Sequence, residues 1–463
     1  MNNSADSMGV RRLLPLLLIA LWMSLASSCG SGGSSQSDVT TPPNVTTAAC
    51  TGSSPTWTST PDVSSVNTCV TNAVDGDTIN VSVGSATWSS GITVTKQVSI
   101  IGAGIGNTVL TKSGSGGFFG YGPGSNVALF RISGFTFIGN GNSPSISLSN
   151  SNSNPPLHMI RIDHNRFTSS PSKIAIENFG ARGVIDNNLF DGLTFAMRIG
   201  WGDGGGQWNW DNLPELVFGA ANDNMYAEDN TFTGLSTTTT DCGQGGRWVF
   251  RYNSFAAASG ISPWLDIHNW QGPGDQACMG GEVYGNLYTT TGDRLLSHRG
   301  GRATGHHNQT VSGSGGWDHR YSGSVGCPTG FYTIELVNNS FYFLNRVGAT
   351  GSLIRDMSTW AAPCGDGTNE VNWHTDSVAA FDGTLGVGAG TLAARPVTCT
   401  PGVGYWATDQ STTDLTGMVG LNPSTPVAGT FYQCGGYYTG TGGTPNTWVD
   451  IYTPLAYPHP LRK

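Results

Sequence analysis

Two strand-like segments carry the densest group of titratable side chains in the chain. PWLDIHNW (263–270) holds Asp266 and His268, and RLLSHRGG (294–301) holds His298 and Arg299. Such a set suits β-elimination from a uronate, in which a base removes the proton beside a carboxylate and a cation neutralises that carboxylate. A His has its ordinary pKa near neutrality and can be the base, while a guanidinium can grip a carboxylate through two N–H groups. On this reading His268 or His298 is the base, Arg299 and Arg198 neutralise, and Asp266 orients a His or binds a sugar hydroxyl. Aligning Ile176, Ile199, Ile267 and Ser297 puts Glu177, Gly200, His268 and His298 on one outward line, with Arg198 and Asp266 beside it. Arg302, His306, His307 and His319 extend a locally basic strip suited to an anionic glycan. Trp201, Trp208, Trp210, Trp264, Trp270 and Trp317 lie in inserts, where their rings could stack on sugars or cover coil edges. The alternative to an enzyme is a non-catalytic glycan-binding or adhesive surface protein that uses those Trp loops.

A repeat must position these residues. An Asn two residues before an aromatic or Thr recurs in IDHNRF, IDNNLF, AEDNTF, FRYNSF, VYGNLY, GHHNQT and LVNNSF, at Asn165, Asn188, Asn230, Asn253, Asn286, Asn308 and Asn339. The intervals of 23, 42, 23, 33, 22 and 31 residues give a shortest unit of 22, with inserts in the longer ones. Apolar residues three and often five positions before each Asn, such as Ile160 and Ile162 or Trp248 and Phe250, have the period of a strand. The Asn breaks that parity, so it is expected to take a left-handed turn and to bond its counterpart in the next coil. Phe135 stands at the Asn position one unit earlier, with Phe137 as the repeat aromatic. Helical periodicity is absent, and the fold class expected is all-β, a single-chain parallel β-helix.

Residues at one offset in successive coils lie about one strand spacing apart, roughly 4.8 Å. Two positions before each Asn stand Asp163, Asp186, Glu228, Arg251, Tyr284, His306 and Val337. Adjacent Asp163 and Asp186 would repel unless a cation or a raised pKa relieved them, so they are a candidate Ca2+ pair. The 42-residue interval before Asn230 leaves open an extra coil that would remove Glu228 from the row.

Charged residues make up 11% of the 463-residue chain, Gly numbers 67 and the formal charge is −9, which suits tight uncharged coils and argues against nucleic acid as a partner. Residues 1–28 pair Arg11 and Arg12 with an apolar run too short to span a bilayer, as in an export signal. LASSC resembles a bacterial lipoprotein signal, which implies lipidation at Cys29, anchoring at the outer membrane or cell surface, and otherwise secretion or periplasmic release. Residues 29–49 read as a Gly/Ser/Thr/Pro tether, 50–360 as the β-helix with an N-terminal cap, and 361–463 as a C-terminal cap on the coils. Val66, Cys69, Val70 and Ala73 have helical spacing behind a capping Asp or Ser. Eight cysteines remain after Cys29, an even number that argues for disulfides in an exported chain, and neighbour pairing gives Cys50–Cys69, Cys242–Cys278, Cys327–Cys364 and Cys399–Cys434.

SATWSSGITVTKQVSIIGAGIGNTVL resembles the opening of exported bacterial right-handed parallel β-helix proteins of the pectate-lyase-like superfamily. The Asn-x-Phe coils, the RGG at 299–301 and the closing YPHPLR (457–462) resemble one branch of it. This resemblance implies a right-handed helix, calcium as the usual cofactor of its lyases, and a polysaccharide, most simply an acidic one, as partner of a monomer. SHRGG is similar to an Arg-His phrase of alginate and chondroitin lyases, but the catalytic Lys that accompanies it there has no counterpart in the inserts. The Asp trio and the GHG and RIK phrases of polygalacturonase-like hydrolases are absent.

Overall fold

The computed structural model describes residues 50–463 except 123–126, 142, 150–156, 170–173, 201–217, 220–223, 237, 244, 257–264, 268–277, 279, 290–294, 299, 312–316, 320–336, 338, 349–351, 354–355, 358–372, 410–413 and 437–443. It is a parallel β-helix. Each coil lays one strand in each of three sheets, and successive coils pair in parallel from the strand Thr78–Val81 to the strand Trp373–Thr375. Among the described residues, sheet I has 13 strands, sheet II 11 and sheet III 10. No helix of these residues is long and apolar enough to cross a membrane.

Two internal ladders hold the coils in register. Phe137, Phe167, Phe190, Phe232, Phe255 and Tyr288 stack along the inside of sheet II with centroids 4.6–5.2 Å apart and planes within 17° of parallel. Beside them each Asn accepts, through Oδ1, the backbone N–H and the side-chain N–H of the Asn one coil earlier, at 2.9–3.1 Å from Asn165 onward. Phe135 opens this ladder, donating its backbone N–H to Asn165 at 3.0 Å. Two expectations need correction. The left-handed residue is the one before the Asn (His164, Asn187, Asp229, Tyr252, His307, Leu344), which frees the Asn to point inward with its amide satisfied. The ladder also ends on Asn345, which accepts from Asn308, and Asn339 stands outside it. Phe343, paired with His306, therefore takes the place expected of Val337.

A helix, Val63–Asn72, closes the first coil, with the Asp62 carboxylate accepting the Ser65 N–H at 2.9 Å as its cap. It buries Val66, Cys69 and Val70, which would otherwise leave the strand edges beneath it open to pairing. Disulfides join Cys50 to Cys69, Cys242 to Cys278 and Cys399 to Cys434, matching three expected pairs. Cys327 and Cys364 lie outside the described residues. The bonds place the chain in an oxidising compartment, extracellular or periplasmic.

After the last coil strand, a four-stranded sheet (Val387–Gly390, Gly404–Ala407, Thr430–Cys434, Trp448–Tyr452) lies against the outer face of sheet I. Phe341 and Phe343 from the coils meet Trp406, Phe431, Ile451 and Tyr452 from this cover in a second apolar core. The cover also runs back along earlier coils, where the Arg161 guanidinium donates to Leu461 O and Arg251 to Leu455 O.

Candidate functional site

A second charged outward row belongs to sheet III. Its strands place Ser147, Glu177, Arg198, Asp241, Asp266 and Ser297 at one register position in six successive coils. Asp318 holds the next position along the same backbone ladder. Parity explains the row, since its neighbours Ile176, Met197, Cys242, Leu265 and Leu296 fill the coil interior. Arg198 lies between two acids, with Nη1 3.9 Å from Glu177 Oε1 and Nε 3.8 Å from Asp241 Oδ2. Glu177 and Arg198 are partly exposed, whereas Asp241 and Asp266 are buried. Burial pushes the Glu177 pKa up against the opposing charge of Arg198. The row thus joins a carboxyl disposed to hold its proton to carboxylates two and three strands away, an arrangement suited to general acid–base chemistry.

This register corrects the sequence-based alignment. Ile267 pairs with His298, not Ser297, and Ile176 pairs with Met197, not Ile199. His298 is therefore fully buried inside the coil, its Nδ1 2.8 Å from the Tyr342 hydroxyl and its Nε2 3.2 Å from Gly301 O. It does not converge with Asp266, which faces outward from the neighbouring strand. Arg302 is 2% exposed and precedes the sheet I strand Ala303–His306, away from sheet III. His268, Arg299, Trp201, Trp208, Trp264, Trp270 and Cys29 lie outside the described residues. Asp241, in STTTTDC, was missed. The signal was present, because Glu177, Arg198, Asp241, Asp266 and Ser297 each follow a repeat Asn by 10–13 residues.

The acid row of sheet I has a different fate. Glu228 pairs directly with Asp186, so no coil hides in the 42-residue interval. Asp163 accepts Arg131 through both oxygens at 2.7 and 2.6 Å, and Asp186 accepts Arg161 through both at 3.0 Å. Burial opposes ionisation of Asp163, but bonds from Arg131 and His164 and the charge of Arg161 prevail and bring its pKa down to about 2. At Asp186 burial wins, and its pKa is raised in spite of Arg161. Arg251 pairs with Glu228, and Arg462 of the cover reaches Asp186 at 3.2 Å, Glu228 at 2.8 Å and Asp229 at 2.5 Å. These donor oxygens are occupied by guanidinium N–H groups and do not fit a calcium ion. No group of three or more His, Cys, Asp or Glu among the described residues could hold a metal.

Fold and site together define a disulfide-bonded parallel β-helix protein of an oxidising compartment, covered on one face and carrying a carboxylate row on another. No family model matches the chain, and no curated protein matches it. Among solved structures, ORF18 of Geobacillus virus E2 is similar over 81% of this chain and 68% of its own, at 12% identity and a TM-score of 0.23. That likeness is too slight to bear on fold or function.

Proposed function

We propose that the chain is an exported member of the pectate-lyase-like superfamily, anchored at the cell surface through Cys29, that cleaves a polysaccharide lying across the strands of sheet III. The observation that carries this reading is the row Glu177, Arg198, Asp241 and Asp266. Glu177 is the proton donor, because burial favours its protonated form. Asp241 or Asp266 supplies the second carboxyl group, placed along the same row to activate water. Glu177 and Asp241 stand two strands apart, about 10 Å along the sheet. That is comparable with the roughly 6.5–9.5 Å between carboxyl groups that leaves room for a water in inverting glycoside hydrolysis. The elimination expected from the His residues is less well supported, since one candidate base, His298, faces the coil interior. Three acids to one Arg also disfavour an anionic chain along this row, and we take the substrate to be an uncharged glycan.

The test is incubation of the purified protein with a panel of neutral and uronate polysaccharides, reading new reducing ends and unsaturated products separately. Reducing ends should form, and Glu177→Gln or Asp241→Asn should lower kcat by roughly a hundredfold or more with the melting temperature kept. Unsaturated products unaffected by Glu177→Gln would replace hydrolysis by elimination. One observation favours a second reading, glycan binding without cleavage: Arg198 already lies near both Glu177 and Asp241. Retention on an insoluble polysaccharide with no product of either kind would establish that reading instead.

A further inference from the structure

The outer side of the cover's four-stranded sheet holds a cleft that neither the coils nor the carboxylate row account for. Leu392, Thr408, Asp409, Gly429, Thr430 and Tyr432 line a space of about 360 Å³. Strand alternation makes it. Trp406 and Phe431 turn into the core shared with sheet I, so their neighbours Ala407 and Tyr432 turn the other way. Gly429 sits where an added Cβ would come within 2.5 Å of the Trp406 ring, so the floor of the cleft is bare backbone over an indole. Tyr432 is held rigidly, with the Arg395 guanidinium 4.3 Å above its ring and the same guanidinium 5.5 Å from Trp448. The strap carrying Arg395 is fixed at both ends, where Tyr405 donates its hydroxyl to Thr391 O at 2.8 Å and Trp448 donates its indole N–H to Pro396 O at 2.7 Å.

The lining combines a fixed aromatic ring, an exposed carboxylate at Asp409 and hydroxyl-bearing Thr408 and Thr430, beside apolar Leu392 and Ala428. A pyranose ring presents the complement, with an apolar C–H face to pack on an aromatic and hydroxyl groups that donate to a carboxylate. The volume falls in the range of small-ligand sites, roughly 300–1,000 Å³, and suits one or two sugar units rather than a long chain. We propose that this cleft is a binding site for an uncharged hexopyranose unit, separate from the sheet III row. If sheet III is a glycan-cleaving face, the cleft would retain the polymer or its released end. The binding claim itself does not depend on that reading.

Binding can be read by saturation-transfer NMR and calorimetry on the full chain, with the methyl glycosides of glucose, galactose, mannose and N-acetylglucosamine as probes and glucuronate as an anionic comparison. At least one neutral glycoside should bind, with Tyr432→Ala and Asp409→Asn each weakening it roughly tenfold or more. Tyr432→Phe, which keeps the ring, should bind close to wild type and guards against misfolding of the Ala variant. Glu177→Gln should leave this affinity unchanged while abolishing cleavage, so the two sites fail independently. No binding of any neutral probe, binding of glucuronate alone, or affinity untouched by Asp409→Asn would each overturn the assignment.

Discussion

Glu282 occupies the outer face of sheet I between Val249 and Thr304, where the cover has closed over it, and is 2% exposed. Burial pushes its pKa from 4.5 up to about 7, against the pull of the Gly219 N–H, the Tyr452 hydroxyl and the charges of Arg251 and Arg247. Asp376 is moved the same way by burial, to about 6, in spite of accepting the Leu344 N–H. Because the folded pKa of Glu282 lies above the unfolded one, the folded state holds this proton more tightly. Stability should therefore fall as pH rises from about 4.5 and should have lost about 3 kcal/mol by the time the folded pKa is passed. His307 works in the opposite sense. Burial and the charge of Arg346 lower its pKa to about 3, so its contribution is intact above the ordinary His value and is lost as pH falls below it. The joint should thus be most stable in mildly acidic solution. Urea titrations from pH 4 to 8 should show the wild type losing stability relative to Glu282→Gln between about pH 4.5 and 7, and a difference that does not change with pH would mean Glu282 is not the group responsible.

At the scale of the element, the inner ladders are the strongest constraint. Asn230 donates its side-chain N–H groups to Ile185 O and Asn253 Oδ1 at 2.8 and 3.1 Å, and its Oδ1 accepts the Asn188 backbone N–H at 3.0 Å. Asn230→Ala removes these bonds and strands buried backbone groups on two neighbouring coils, so it should cost about 2–4 kcal/mol in a denaturant titration. The same internal repetition is why the Asn and aromatic positions were legible in the sequence from Asn165 to Asn308. LVNNSF carries the expected phrase at Asn339, yet FLNRV supplies the ladder through Asn345, where Leu344 makes the left-handed turn and Val347, paired with Thr310, replaces the aromatic. Outward rows lack such guidance. The connections into sheet III vary in length, and one residue of slip turned His298 from an outward base into a core side chain. The cover over sheet I was hidden for a related reason, since a row reading Asp, Asp, Glu, Arg, Tyr, His looks like solvent-facing surface until its partners 200 or more positions away are known.

For the whole molecule, the decisive contact joins chain regions far apart in sequence. Arg462 is 11% exposed in its side chain and answers three carboxylates on two coils, Asp186, Glu228 and Asp229. Arg462→Ala removes one cation from three carboxylates, of which Asp186 keeps Arg161 and Glu228 keeps Arg251, and should lower stability by about 2–3 kcal/mol, with the segment beyond Tyr452 becoming the first site of proteolysis. Melting and protease resistance equal to wild type would show that the apolar core around Trp406 holds the cover without help. Among the described residues, disulfides lie in the N-terminal cap (Cys50–Cys69), within the coils (Cys242–Cys278) and within the cover (Cys399–Cys434).

The Asn ladder also has a polarity. Every rung donates from an earlier coil to the Oδ1 of a later one, from Phe135 through Asn308 to Asn345. A chain threading out of a translocon amino end first would therefore carry, at every moment, one unfinished amide at its growing tip, which only the next 22 to 42 residues could satisfy. Closure would advance like a zip in the direction of export, and the final tooth would engage only near the end of the passage, just before the cover itself emerges.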